Sequence, residues 1–150
     1  MTPKLIRALR GCRLPWSEDP NCARPKPRGP LKVVMHARRG DHAGAADHHF
    51  FRVADLVRRL APDADIHVYA LLEGFNRTAF ERRRFTTHVD DIRKVEANLL
   101  FDVWTAFATA DVMVVDTSSF SWAPAFFNPN CVIYHPYSLH YATDRLVLQA

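Results

Sequence analysis

A chain of 150 residues with 24% charged and 48% hydrophobic side chains has the size and make-up of one globular domain. Folding at that length buries roughly two-thirds of the unfolded surface, so no disulfide framework is required. The net charge of +4 hides an asymmetry: residues 1–40 carry ten Lys/Arg against Glu18 and Asp19, a net +8, and residues 41–150 carry a net −4. A basic front end attracts polyanions only weakly and non-specifically. With Trp16 as its one aromatic residue it offers no stacking platform for single-stranded nucleic acid, so no specific nucleic-acid partner is expected. No apolar run is long enough to span a membrane, and residues 1–30 hold no apolar core of the signal-peptide kind.

Leu5, Ile6 and Leu9 suit one face of a short helix ended by Gly11, and the Pro-, Arg- and Lys-rich run from Pro15 to Pro30 has linker composition. The expected division is therefore a basic N-terminal segment over 1–30 and a folded domain over 31–150. Cys12 and Cys22 can close a loop in an oxidising compartment, whereas Cys131 opens an apolar strand and reads as a buried thiol; this pattern decides no compartment. Asn76-Arg77-Thr78 is a glycosylation acceptor triplet that matters only on the secretory route.

Leu31 to Ala37 is a short apolar run of the buried-strand kind, and it switches abruptly to Arg38-Arg39-Gly40-Asp41. After a small-residue loop, Asp47 is expected to cap a helix with apolar positions at Phe50, Val53, Ala54, Val57 and Leu60, stopped by Pro62. Asp65 to Leu72 reads as a second strand closed by Glu73-Gly74, Phe75 to Arg84 as a basic helix or loop, and Phe85 to Val89 as a third strand. Val95 to Thr109 presents one broad apolar helical face. Val112-Met113-Val114-Val115 is an unbroken apolar run, expected to be a central strand. Asp116 to Ser121 then leads into a helix whose first turn should contain Pro124, because a proline further in removes a ladder bond. Cys131 to Tyr134 is a fifth strand, and residues 138–150 form a tail of some helical character. Strands alternating with helices call for an α/β fold: a parallel sheet of about five strands, right-handed crossovers and helices on both faces.

Two stretches carry chemistry. A buried strand ending in two guanidinium groups delivers positive charge to the sheet's carboxyl edge, where such folds bind ligands, and Arg is shaped to grip phosphate through paired hydrogen bonds. The plain alternative is a strand that ends in a solvated basic turn. The turn Asp116-Thr117-Ser118-Ser119-Phe120-Ser121 opens a helix, whose free amides and hydroxyls accept anions. The same residues are also the commonest helix caps. In a parallel sheet both stretches end on one side, so together they point to a diphosphate site.

The run His36-Ala37-Arg38-Arg39-Gly40-Asp41 resembles the first motif, HxRRxD, of the superfamily of α1,2-, α1,6- and protein O-fucosyltransferases. The run Ala110 to Trp122, with its Ala-Asp, apolar strand and Ser-Ser-Phe-Ser, is similar to the third motif. His67 to Gly74 resembles the middle motif, although Leu71-Leu72-Glu73 departs from the residues usual there. The resemblance covers about residues 31–140. It implies the donor-binding, Rossmann-like three-layer half of a GT-B-type glycosyltransferase that takes GDP-fucose and transfers fucose to a glycan or protein acceptor with inversion. It implies no metal and no cofactor beyond the donor substrate, and a Golgi or ER setting in a eukaryote. Carried onto this chain, the first motif's residues fall on His36, Arg38 and Asp41 and the third motif's Ser-Phe pair on Ser119 and Phe120; Arg39, Gly40, Ser118 and Ser121 complete the expected donor site. Arg38 would stabilise the leaving diphosphate, and Asp41 and Glu73 are the candidates by position for the general base. Two alternatives stand beside this reading. One is a remnant that binds GDP or a nucleotide sugar without transfer; the other is a metal site built from His36, His42, His48, His49 and Asp47, whose spacing fits no zinc signature.

Overall fold

A computed structural model describes residues 29–40, 44–90 and 97–134. The expectations for the N-terminal segment, for Cys12 and Cys22, for Asp41 and His42, and for the tail after Tyr134 lie outside the described residues. The elements are β1 (Lys32–Ala37), α1 (Asp47–Leu60), β2 (Asp65–Leu71), α2 (Arg77–Arg82), β3 (Thr86–Asp90), α3 (Ala97–Thr109), β4 (Val112–Val115), α4 (Ser119–Phe127) and β5 (Cys131–Tyr134). The strands form one all-parallel sheet in the order β3-β2-β1-β4-β5, with β1 at its centre. This is the expected α/β, Rossmann-like arrangement.

Two local expectations are corrected. Asp47 is not the cap of α1 but its first residue; Ala46 holds the cap position and has no polar side chain to make a cap bond, while the Asp47 carboxylate accepts from Arg39. Pro124 lies in the second turn of α4, not the first. There its missing N–H removes the ladder bond that the Phe120 carbonyl would accept.

The sheet buries both faces. On one face Val33, Met35, Ile66, Val68 and Val114 pack against Phe50, Ala54 and Val57 of α1 and Phe80 of α2. On the other, Val34, Met113, Val115 and Val132 pack against Val103 and Phe107 of α3 and Ala125 of α4. Strands covered twice must be apolar throughout, which is why β1 and β4 read as continuous runs. Phe50, Phe80 and Phe107 are wholly buried, and burial of each contributes roughly 1.5–3 kcal/mol. Strand β2 alternates instead: Ile66, Val68 and Ala70 are buried, whereas His67, Tyr69 and Leu71 are half-buried on the face of α3.

Candidate functional site

Strands β1 and β4 are neighbours and run parallel, so the segments after them leave the same edge side by side. From β1 the chain moves out to β2 and β3, and then returns to β4 on the opposite side of β1. That reversal is the topological switch point, where a crevice opens beyond the strand ends. Asp116, the first residue after β4, is completely buried there. It accepts from the Arg38 amide at 2.8 Å, the Ala45 amide at 2.8 Å and its neighbour's Thr117 amide at 2.7 Å. A buried carboxylate needs partners of this kind, and two of the three come from the loop after β1. Gly44 closes the same knot, since a Cβ there would overlap the Asp116 carboxylate and lie 2.6 Å from the Arg38 carbonyl oxygen.

The two arginines divide their work. The Arg39 guanidinium is 12% exposed; it donates to Asp47 and to the Arg38 carbonyl, lies 3.8 Å from Asp116 and sits over the Phe50 ring. It is the brace of the loop, although it also reaches the cleft wall. Arg38 reaches across to the other segment, with Nη1 donating to the Thr117 carbonyl at 3.3 Å. Gly40, at φ +96°, then turns the chain through a left-handed conformation that other residues rarely adopt.

The cleft holds about 370 Å³. His36, Arg38 and Arg39 reach it from β1 and its loop, and Ser118, Ser119 and Phe120 from the start of α4. Ser118 is extended and makes no side-chain cap bond, while the Ser121 and Trp122 amides return to its carbonyl at 3.1 Å each. The Ser119 and Phe120 amides, first in the helix, have no acceptor within it. His36 is enclosed between the rings of Phe107 (5.8 Å) and Phe120 (5.4 Å). Burial pushes its pKa from 6.5 to about 4; Asp116 pulls it up, and Arg38 and Arg39 press it down. The imidazole is therefore neutral near pH 7, and its buried Nδ1 has no hydrogen-bond partner. Such an atom costs free energy unless something supplies the bond, and this ring stands in the wall of a cleft.

Six of the expected site residues thus share one cleft. Ser121 does not line it; its buried hydroxyl donates to the Ser118 carbonyl at 3.1 Å. Glu73 is exposed on the turn after β2 and is not part of the lining, which instead carries Asp90 at the end of β3. Tyr69, opposite His36 in the β1–β2 register, forms part of the cleft as well. Asp116, Tyr69 and Asp90 were not singled out from the sequence. The signals available were an Asp directly after a buried strand and the period-two alternation that sets Tyr69 on the His36 side. Among the described residues no group of three or more His, Cys, Asp or Glu can hold a metal ion. His36 packs on Phe107 on one side of the sheet and His49 on Phe50 on the other, so the His cluster suggested by sequence is divided by the sheet. No helix among the described residues is long and apolar enough to cross a membrane. Comparison with protein-family models, with curated proteins and with solved structures finds no match for the chain.

Proposed function

We propose that the cleft binds the diphosphate of a nucleotide sugar, GDP-fucose by the motif resemblance, and that the domain is the donor half of an inverting fucosyltransferase. The observation that carries this reading is the meeting of two distant segments: Arg38 after β1 and the Ser118–Phe120 helix start after β4 face one cleft at the switch point. Arg38 donates to the non-bridging oxygens of the β-phosphate, and the Ser119 and Phe120 amides point positive dipole ends at the same group. Transfer breaks the bond between the sugar's anomeric carbon and the phosphate oxygen while an acceptor hydroxyl attacks from the opposite face. Negative charge then grows on the departing diphosphate, where preorganised donors contribute most. The acceptor's proton passes to a base for which Asp41 and Glu73 are the candidates. The partners of this reading are the donor and a glycan or glycoprotein acceptor.

Calorimetric titration of the full chain with GDP tests it. The expected affinity is micromolar to millimolar, and Arg38→Ala weakens it by roughly thirtyfold or more, since truncating a charged partner of a phosphate costs about 2 kcal/mol upward. Equal affinity in a variant that melts like the parent sinks the assignment. Binding of GDP without hydrolysis or transfer of the donor selects the non-catalytic remnant instead.

A further inference from the structure

The edge of the sheet opposite the cleft carries a second concentration of charge. Helices in a parallel sheet run back against the strands, so α1 and α2 both end at the amino edge. The last turn of α1 brings Arg58 there, and Arg83 and Arg84 follow α2. The Arg83 guanidinium lies 4.5 Å from the centre of the Phe51 ring and that of Arg58 5.3 Å from the centre of Phe85, and the two rings are 6.0 Å apart. Each guanidinium thus has one face on an aromatic floor and keeps N–H edges for a further partner. Arg58 is held in place by donating from Nη2 to the Arg84 carbonyl at 3.1 Å. Asp55, itself exposed, is 3.8 Å from Arg83, and the Glu81 carboxylate of α2 is already taken by Arg77 and Thr87. The crowding of like charge is felt at Arg58, whose pKa is lowered by burial first and then by Arg84, with Asp55 opposing and Arg83 adding to the fall.

The backbone adds an independent sign. Arg84 sits at φ +61°, the one non-glycine among the described residues in the left-handed region. Glycine takes that conformation freely and arginine does not. The helix ends favour a cation beside them, which accounts for Arg58 but not for an exposed arginine at a left-handed position. Crowded charge and backbone strain both work against the fold, and such features collect where a ligand is bound. We infer that Arg58, Arg83 and Arg84 form a second anion site, built for the dianion of a phosphate monoester carried on a peptide side chain. Near pH 7 such an ester bears close to two negative charges and three acceptor oxygens, which two or three guanidiniums can share. A carboxylate brings one charge. Arginine clusters are a general means of reading phosphorylated segments. A single-stranded nucleic acid fits less well, because Phe51 and Phe85 are covered by the guanidiniums and offer no face to a base.

The test is fluorescence anisotropy of the full chain with a labelled glycine-rich peptide bearing one phosphoserine, and with its serine twin. The phosphopeptide should bind about tenfold or more tighter than the twin, a difference that Arg83→Gln and Arg84→Gly each remove in large part. Arg84→Gly should nonetheless melt no lower than the parent, because the left-handed strain is relieved. Phosphopeptide affinity should fall about fourfold from pH 7.5 to 5.5, as the ester takes up its second proton. Inorganic sulfate, charged alike at both pH values, should compete equally well at each. A phosphopeptide that binds no tighter than its twin, or as tightly in both variants as in the parent, overturns the site. Displacement of the peptide by GDP places it in the cleft and overturns the site as well. Inorganic phosphate that binds as tightly as the phosphopeptide, or an oligothymidylate or anionic vesicle that binds tighter and loses its grip in Arg84→Gly, overturns the choice of a phosphorylated peptide.

Discussion

Asp116 joins segments 78 positions apart, through main-chain amides that carry no mark in the sequence. Read locally it is one more Asp before a helix, the residue type most used for caps, and its partners appear only when β4 is set beside β1. Arg39 was legible as a cation, but not as one already engaged by Asp47. Both carboxylate oxygens of Asp116 accept: one takes the Arg38 amide, the other the Ala45 and Thr117 amides. An Asn at this position must therefore turn an NH2 group towards an N–H, whichever way it flips. Asp116→Asn should destabilise the domain by about 3 kcal/mol, read by urea denaturation, since a buried donor is stranded and Arg39 loses a counter-charge. The same variant should bind GDP more weakly even where it remains folded, because the amide of Arg38 is no longer held.

At the scale of elements, what the sequence showed well was period and composition. The continuous runs of β1 and β4 fall where expected, and so does the stripe of α1 at Phe50, Ala54 and Val57, but Leu60, the last apolar position expected on that face, is 80% exposed at the end of the helix. The rule against interior prolines does not place Pro124, which is buried in the second turn of α4. Less visible is how α3 is ended and tied to its neighbours. Asn128, fully buried after α4, donates to the Phe107 carbonyl at 2.7 Å and the Ala110 carbonyl at 3.1 Å, and accepts from the Asn130 amide at 2.7 Å. The Asn130 side chain donates to the Ala110 carbonyl at 2.7 Å. The last turn of α3 leaves carbonyls without helical partners, and these side chains satisfy them from the α4–β5 connection. Asn128→Ala strands the Phe107 carbonyl and the Asn130 amide, and Asn128→Asp sets an anion against two carbonyl oxygens. Both should lower the melting temperature by roughly 10 °C, as a loss of about 3 kcal/mol does in a chain of this length. Thermal denaturation followed by circular dichroism reads this directly, and Asn128→Asp should recover part of the loss at low pH, where its carboxyl becomes a donor again.

At the scale of the whole molecule, the alternation of strands and helices made the parallel sheet legible, and with it the rule that both loops share one edge. The far end of the cleft was not legible, because placing Asp90 requires knowing that β3 lies two strands from β1. The burial of His36 was hidden for the same reason: its enclosure depends on Phe107 and Phe120, which arrive from α3 and α4. That enclosure gives the fold a pH dependence of definite sign. An imidazole with its folded pKa near 4 and its ordinary value at 6.5 binds its proton more readily when the chain is unfolded. Its contribution to stability is therefore complete above about pH 6.5 and is withdrawn as the pH falls towards 4. The loss totals roughly 3 kcal/mol at a slope of up to 1.4 kcal/mol per pH unit. His88, lowered by burial first and by neighbouring His67 next, pushes in the same direction. Unfolding free energies measured by urea at steps between pH 7 and 4.5 should fall in the parent and fall less steeply in His36→Phe, whatever that variant's stability at pH 7. The difference in slope isolates the buried imidazole from His88 and the surface carboxylates, which titrate alike in both proteins; equal slopes would mean that His36 takes up its proton without leaving the fold.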